Sequence, residues 1–255
     1  MREQAAASTV EVITLPLAFR HENATRYHSS KEAEAAGQTG SAPPGTTTGI
    51  KALLKHRAVW LAAAYFLAYV GTETAISGWA VSYMIRARSA SPYLASLSSS
   101  GFWAGQAVGR ISLGFFTDRI VVARATTIYY IFAIVLQVLF AVVQQPVADI
   151  VFITLVGFWF GPVFPSGAIL LARYLPRQLH VGAMSFVGSL GQIGGALLPF
   201  TIGALIEKLG ISAFGYVIIV VSTLALAFWI VFSLPSVTSG KSDEQQNEEE
   251  DDTTG

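Results

Sequence analysis

Glu73 is an acidic side chain near the middle of a long apolar stretch, and Tyr65 and Tyr69 precede it at intervals of four residues. On a helix that spacing drifts only about 80° over eight residues, so two phenols and a carboxyl form one polar stripe. A carboxylate in hydrocarbon is costly and is kept where it has a polar partner or a task. Desolvation disfavours the charged form of a carboxyl. Such a group can load and release a proton, or bind a solute hydroxyl. Its alternative role is support, through hydrogen bonds to Tyr or Ser of adjacent helices. Gln106 and Gln192 come next, because an amide facing lipid would be unsatisfied. Tyr69, Trp79, Trp103 and Phe164 add ring faces that stack on a polyhydroxylated ring, or else pack the bundle and anchor it at the interface. Glu73, Tyr69, Trp79, Gln106, Phe164 and Gln192 are therefore the candidate substrate or proton path.

Other chemistries find no residues to carry them. G-x-S-x-G, H-E-x-x-H and P-loop patterns are absent, and His21, His28, His56 and His180 all fall outside the apolar stretches. No paired base stands beside a Ser or an acid, so the reading is not an enzyme. The chain has no cysteine, which excludes disulfides, thiol catalysis and Cys-ligated metals. No metal or cofactor set is read. A nucleic-acid surface would need Lys/Arg-dense patches with interleaved aromatics, and there are none.

The elements that must position these groups are membrane spans. The chain is 53% hydrophobic and 13% charged, with a mean hydropathy of +0.53, too apolar for an ordinary soluble domain. Six stretches, 58–84, 94–116, 126–144, 149–172, 181–206 and 212–234, are near or above the roughly 20 residues a helix needs to cross a bilayer. They are continuously apolar rather than alternating, which argues against a barrel. The expectation is an all-α, multi-pass protein with a membrane domain over 57–235. Residues 1–56 are polar and read as a flexible, linker-like segment. Residues 236–255 read as a disordered acidic tail, since seven of the sixteen acids lie between Asp243 and Asp252.

Charge sets the expected orientation. With residue 57 on the cytoplasmic side, eight bases (Lys51, Lys55, Arg57, Arg119, Arg124, Arg173, Arg177 and Lys241) flank that face. Three (Arg86, Arg88 and Lys208) flank the other. The excess puts both termini in the cytoplasm, with Arg86 and Arg88 as the counter-evidence. The sequon Asn23-Ala-Thr25 would then stay unmodified.

Each span has its own character. The second carries Gly101, Gly105 and Gly109, a small-residue ridge that admits a close neighbour. The third is plain and reads as peripheral. In the fourth, Pro162 and Pro165 free backbone carbonyls and invite a kink, tolerable only against protein or a water-filled cavity. The fifth, with Gly191, Gly194, Gly195 and Pro199, is suited to close packing and bending. The sixth is mostly aliphatic and reads as lipid-facing.

The sharpest motif closes the second span: Gly109-Arg110-Ile-Ser-Leu-Gly114-Phe-Phe-Thr-Asp118-Arg119. Its G-x-x-x-D-R element resembles the signature loop of the major facilitator superfamily, which recurs between the second and third helices of each six-helix half. Glu73-Thr-Ala-Ile-Ser-Gly-Trp79, Gly101-Phe-Trp103, Gly161-Pro-Val-Phe-Pro165 and Gly191-Gln-Ile-Gly-Gly195 resemble the second half of fungal facilitators related to fucose permease. The resemblance covers about residues 50–235. It departs from the signature after Arg119, where Ile120-Val-Val-Ala123 precedes the next base.

The resemblance implies six transmembrane helices forming one half of a major facilitator fold, and transport of a small polar solute, such as a sugar, by alternating access. The lipid bilayer is the implied surroundings; proton coupling is the reading that Glu73 adds, and the resemblance does not itself fix it. It also implies a gating loop of Gly114, Asp118, Arg119 and Arg110, in which Asp118 makes and breaks contacts near the start of the fifth span. Because family members have two halves, the expectation is that the N-terminal half is missing, or that this chain self-associates. The alternative is a membrane-embedded fragment or partner that does not transport.

Overall fold

Over 57–233, within the described residues, long apolar runs broken by short polar or proline-bearing turns become seven α-helices. The computed structural model describes residues 53–117, 121–176 and 179–234. In chain order the helices are α1 (Arg57–Arg88), α2 (Pro92–Thr117), α3 (Val122–Val142), α4 (Pro146–Phe160), α5 (Val163–Tyr174), α6 (His180–Leu209) and α7 (Phe214–Ser233), with a 3-10 turn at Ile211–Ala213 before the last. The described residues contain no strand. The expectations for residues 1–52 and 235–255, and for Asp118, Arg119 and Arg177, lie outside the described residues.

α4 and α5 are two parts of one apolar stretch, Pro146–Tyr174, so the seven helices make six spans. The break falls at Gly161 and Pro162, where Pro162 and Pro165 each lack the N–H that a continuous helix needs. Four single helices and the combined α4–α5 stretch are long and apolar enough to cross a membrane. α2, with 26 residues, has the length but is not one of them. Five serines, Gln106 and Arg110 make it the polar helix of the bundle.

α1 is the central helix. α2, α5, α6 and α7 all pack on it, while α4 joins α2 to α3. Two of these crossings bring backbone against backbone. A Cβ on Gly105 or Gly109 would meet the carbonyls of Thr154 and Phe158 in α4, and one on Gly157 would meet the carbonyl of Phe102 in α2. Likewise, Gly194 of α6 lies against the carbonyl of Leu67 in α1. Glycine at these places lets the helices approach closely enough for short polar side chains to bridge them.

The third and sixth spans have more polar and more buried faces than their sequences suggested. α3 buries Thr126, Tyr130 and Gln137 completely. α7 turns Phe214, Ile218, Ser222, Trp229 and Phe232 inward and exposes Val220, Leu224 and Phe228. A single helix can do both, because inward and outward residues alternate with the helical period rather than by segment.

α1 continues to Arg88, four residues beyond the apolar stretch read as ending at 84. Arg88 has a partner there. Its Nε donates to Asp149 Oδ2 at 2.6 Å, with both side chains buried. Its Nη2 donates to the Phe140 carbonyl at 3.0 Å, and its guanidinium stacks over Tyr83. One arginine thus ties the ends of α1, α3 and α4 together.

Candidate functional site

A helix that loses an N–H to proline leaves the carbonyl four residues earlier without its partner. Pro165 does this to Gly161, and Pro199, inside α6, does it to Gly195. Both carbonyls are taken up by side chains from other helices. Arg110 Nε of α2 donates to the Gly161 carbonyl at 3.3 Å. Thr74 Oγ1 of α1 lies within hydrogen-bond distance of the Gly195 carbonyl at 3.1 Å and shares its one proton between that oxygen and the Val70 carbonyl of its own helix at 2.8 Å. Between these two repaired breaks lies an open cleft of about 430 Å³, lined by Val70, Glu73, Thr74, Trp103, Arg110, Phe164, Pro165 and Gln192.

Glu73 sits in this cleft at 6% exposure. Gln106 Nε2 donates a short hydrogen bond to its Oε1. Arg110 Nη2 donates to Gln106 Oε1 at 3.0 Å and lies 3.8 Å from Glu73 Oε1. Gln106 is therefore a bridge, with its amide nitrogen on the carboxylate and its amide oxygen on the guanidinium. Since a carboxylate only accepts and a guanidinium only donates, this orientation suits the ionised acid. The Arg110 side chain is 47% exposed, so one end of the chain of contacts is sealed and the other is open.

The candidate path residues fall into three places. Glu73, Phe164 and Gln192 line the cleft together, with Gln106 buried directly behind Glu73. Tyr69 is fully buried, and its hydroxyl donates to the Phe160 carbonyl at 3.1 Å. Tyr65 does the same to Val163 at 3.1 Å. The tyrosine stripe thus holds α1 to the α4–α5 break from behind. Trp79 lies elsewhere. Its indole N–H donates to the Pro199 carbonyl at 3.0 Å, and it lines a separate cleft of about 610 Å³ with Arg86, Phe200 and Glu207.

Of the residues grouped with the gating loop, Arg110 belongs to the cleft. From it a narrower crevice of about 140 Å³ runs to Gly114, Thr117 and Ile169. Thr74 was missed. Only its register opposite Pro199 marks it, and that pairing is not visible within either segment alone. Asp149 was missed as an intramembrane acid because it lies at the edge of its span. The glycines and prolines of the packing set serve backbone geometry. Gly161 abuts the backbone of Gln106, Gly109 and Arg110, which holds α2 at the depth where Gln106 reaches Glu73. Gly191 packs against Val70 and Phe66, and Gly195 faces Val70 and Thr74.

The chain matches the Major Facilitator Superfamily over residues 61–252. It belongs to that superfamily. Among curated proteins, this facilitator is 28% identical over 224 residues to Bypass of stop codon protein 6 of Saccharomyces cerevisiae, covering 80% of this chain and 45% of the yeast protein. It is 27% identical over 135 residues to the Glucose/mannose transporter GlcP of Bacillus subtilis, covering 53% of this chain and 33% of that protein. The chain thus spans less than half the length of either relative. Among solved structures, the E. coli fucose:proton symporter FucP superposes with a TM-score of 0.66 at 16% identity, over 77% of this chain and 48% of that one. A second FucP structure, in the outward conformation, gives 0.65 at 17% identity, over 77% and 47%. At such identities the likeness is one of fold: this facilitator is a six-helix half of that architecture.

Proposed function

We propose that this facilitator moves a small polar solute across the bilayer by alternating access, with a sugar as the solute class and a proton as the coupling ion. The observation that carries the reading is the cleft. It is lined by an acid, an arginine, one amide and two aromatic rings, with a second amide buried behind the acid, between a broken span and a proline-bearing one, the setting in which such carriers bind substrate near the midplane. Gln192 and the open face of Arg110 supply hydrogen bonds, and Trp103 and Phe164 supply ring faces. Glu73 is the proton-loading group. A second six-helix body faces the cleft and completes it. Asp118 and Arg119, which follow Thr117 in the sequence, are the gating residues of this reading. The names of the bacterial relative and of the fold neighbour, a glucose/mannose transporter and a fucose:proton symporter, support the solute class and the ion.

Both termini lie in the cytoplasm in this reading. The chief objection was the arginine pair at the far end of α1. Arg88 is neutralised by buried Asp149, which leaves Arg86 and Lys208 as the free bases of that face. A glycan on Asn23 would reverse the orientation.

These 255 residues contain no cysteine, so with any cysteine outside them replaced by serine a single Gln192→Cys reports on the cleft alone. In membranes containing the full-length protein, D-glucose, D-mannose or L-fucose is expected to slow maleimide labelling at this position in a saturable way. Labelling that none of the three hexoses alters would contradict the sugar assignment.

A further inference from the structure

Arg110 touches three things whose states should change together. Its Nη2 reaches Gln106 and stands 3.8 Å from the Glu73 carboxylate. Its Nε holds the Gly161 carbonyl at the α4–α5 break. Its stem lines both the 430 Å³ cleft and the 140 Å³ crevice that leads toward the α2–α3 connection. We propose that Arg110 is a positioning residue that transmits the proton state of Glu73 to the break between α4 and α5. The inference rests on Glu73 being the proton-loading group.

The reasoning follows from donors and acceptors. With Glu73 ionised, the guanidinium is drawn toward the acid, and Gln106 presents its oxygen to it. That arrangement keeps Nε on the Gly161 carbonyl and braces the break. When a proton from water in the cleft binds the carboxylate, the attraction across 3.8 Å is lost. Arg110 is half-exposed, so water and solute compete for it at little cost. Once it leaves, the Gly161 carbonyl has neither the N–H that Pro165 lacks nor a side-chain donor. A helix break with an unpartnered carbonyl is one that bends until the carbonyl finds water. Pro165 and Ile169 of α5 line the crevice opposite Gly114 and Thr117 of α2, so bending at Gly161 changes the width of the crevice.

Few other titratable groups compete for this role. Among the described residues, Tyr69 on α1 and Arg110 on α2 face Glu73, and Tyr65 and Tyr130 of α1 and α3 lie behind them. The α4, α5 and α6 segments that line the cleft bring no acid or base to it. The tyrosines are fully buried. Tyr69 also faces the acid and donates to the Phe160 carbonyl at the break, but among these groups Arg110 is the charged one and the one open to the cleft.

The test uses the same background, in which these residues carry no cysteine and any cysteine outside them is replaced by serine. Ile169→Cys, in the crevice, is labelled with a maleimide in full-length protein between about pH 5.5 and 7.5. Its rate is divided by that of Tyr93→Cys, an exposed position on the far end of α2, to remove the reagent's own pH dependence. The proposal expects a several-fold, pH-dependent change in relative rate at Ile169→Cys. Glu73→Gln should fix the rate at its low-pH value, and Arg110→Gln should make it independent of pH. Arg110→Lys, which keeps the charge but cannot span two acceptors with one planar fork, should shrink the pH response without abolishing it. A pH response that Glu73→Gln abolishes but Arg110→Gln leaves intact would overturn the role of Arg110 and spare that of Glu73. A rate that is flat with pH in the otherwise unsubstituted protein would overturn both. Hexose protection at Gln192→Cys would still judge the solute assignment separately.

Discussion

Among the described residues this facilitator holds two acids inside its bundle, and each faces an arginine, but the two pairs are built differently. Asp149 and Arg88 meet at 2.6 Å with side chains 0% and 7% exposed, at the ends of three helices. Glu73 and Arg110 stand 3.8 Å apart, linked through an amide, with the arginine half open to a cleft. The first pair has no slack. The second has an intermediary, a solvent-facing partner and a helix break within reach. A sealed pair serves as a strut, because removing either member strands a charge. A loose pair can exchange partners as a proton or solute arrives.

The comparison is most sharply broken by removing the strut. Asp149→Ala leaves Arg88 buried without its counter-charge and should cost about 3–5 kcal/mol, read as a large fall in melting temperature in detergent. The double variant Arg88→Met/Asp149→Leu should recover most of that loss, because an apolar pair of similar volume replaces the ions. If the double variant were as unstable as the single one, the strut would depend on more than charge balance.

The next effect tests how the loose pair is positioned. Gly105→Ala places a methyl against the Thr154 carbonyl. Pushing α2 from α4 should cost about 1–3 kcal/mol and withdraw Gln106 from Glu73. Gly114→Ala, on the same helix, meets nothing within 4 Å and should change stability by less than about 0.5 kcal/mol. Equal effects at the two positions would contradict the close crossing. A smaller loss, about 1 kcal/mol, is expected for Thr74→Val, which removes the donor to the Gly195 carbonyl. Thr74→Ser, which keeps the hydroxyl, should sit near the parent melting temperature.

These contrasts also mark what the sequence could convey. Length and hydropathy carry five of the six spans, and α2 has the length without the composition. The doubled glycine ridge, the prolines of the fourth span and the lone acid of the first each announced a local property: close approach, a break, a costly charge. What they could not announce was partnership. Nothing in the second span says that Arg110 caps Gly161, and nothing in the first says that Thr74 caps Gly195, because each pairing depends on the register of two distant helices. For the same reason Trp79, plausible by type, sits in another cleft. Tyr69, plausible by its stripe, faces Glu73 but is sealed from the cleft and bonded to the Phe160 carbonyl at the break. Asp149 went unnoticed because hydropathy treats an acid at a span's end as flanking polarity, whereas three converging helix ends bury it. Even α2, polar enough to fall short as a span by composition, earns its place only through the acid and the carbonyl it serves.

The measurement that bears most directly on the account is the pH dependence of radiolabelled hexose uptake by the full-length protein and by its Glu73→Gln variant, with Asp149→Asn as the control acid. The account predicts uptake that rises with an inward proton gradient in the unsubstituted protein and in Asp149→Asn wherever it folds, and uptake indifferent to that gradient in Glu73→Gln. Gradient-driven uptake that survives Glu73→Gln unchanged would contradict it.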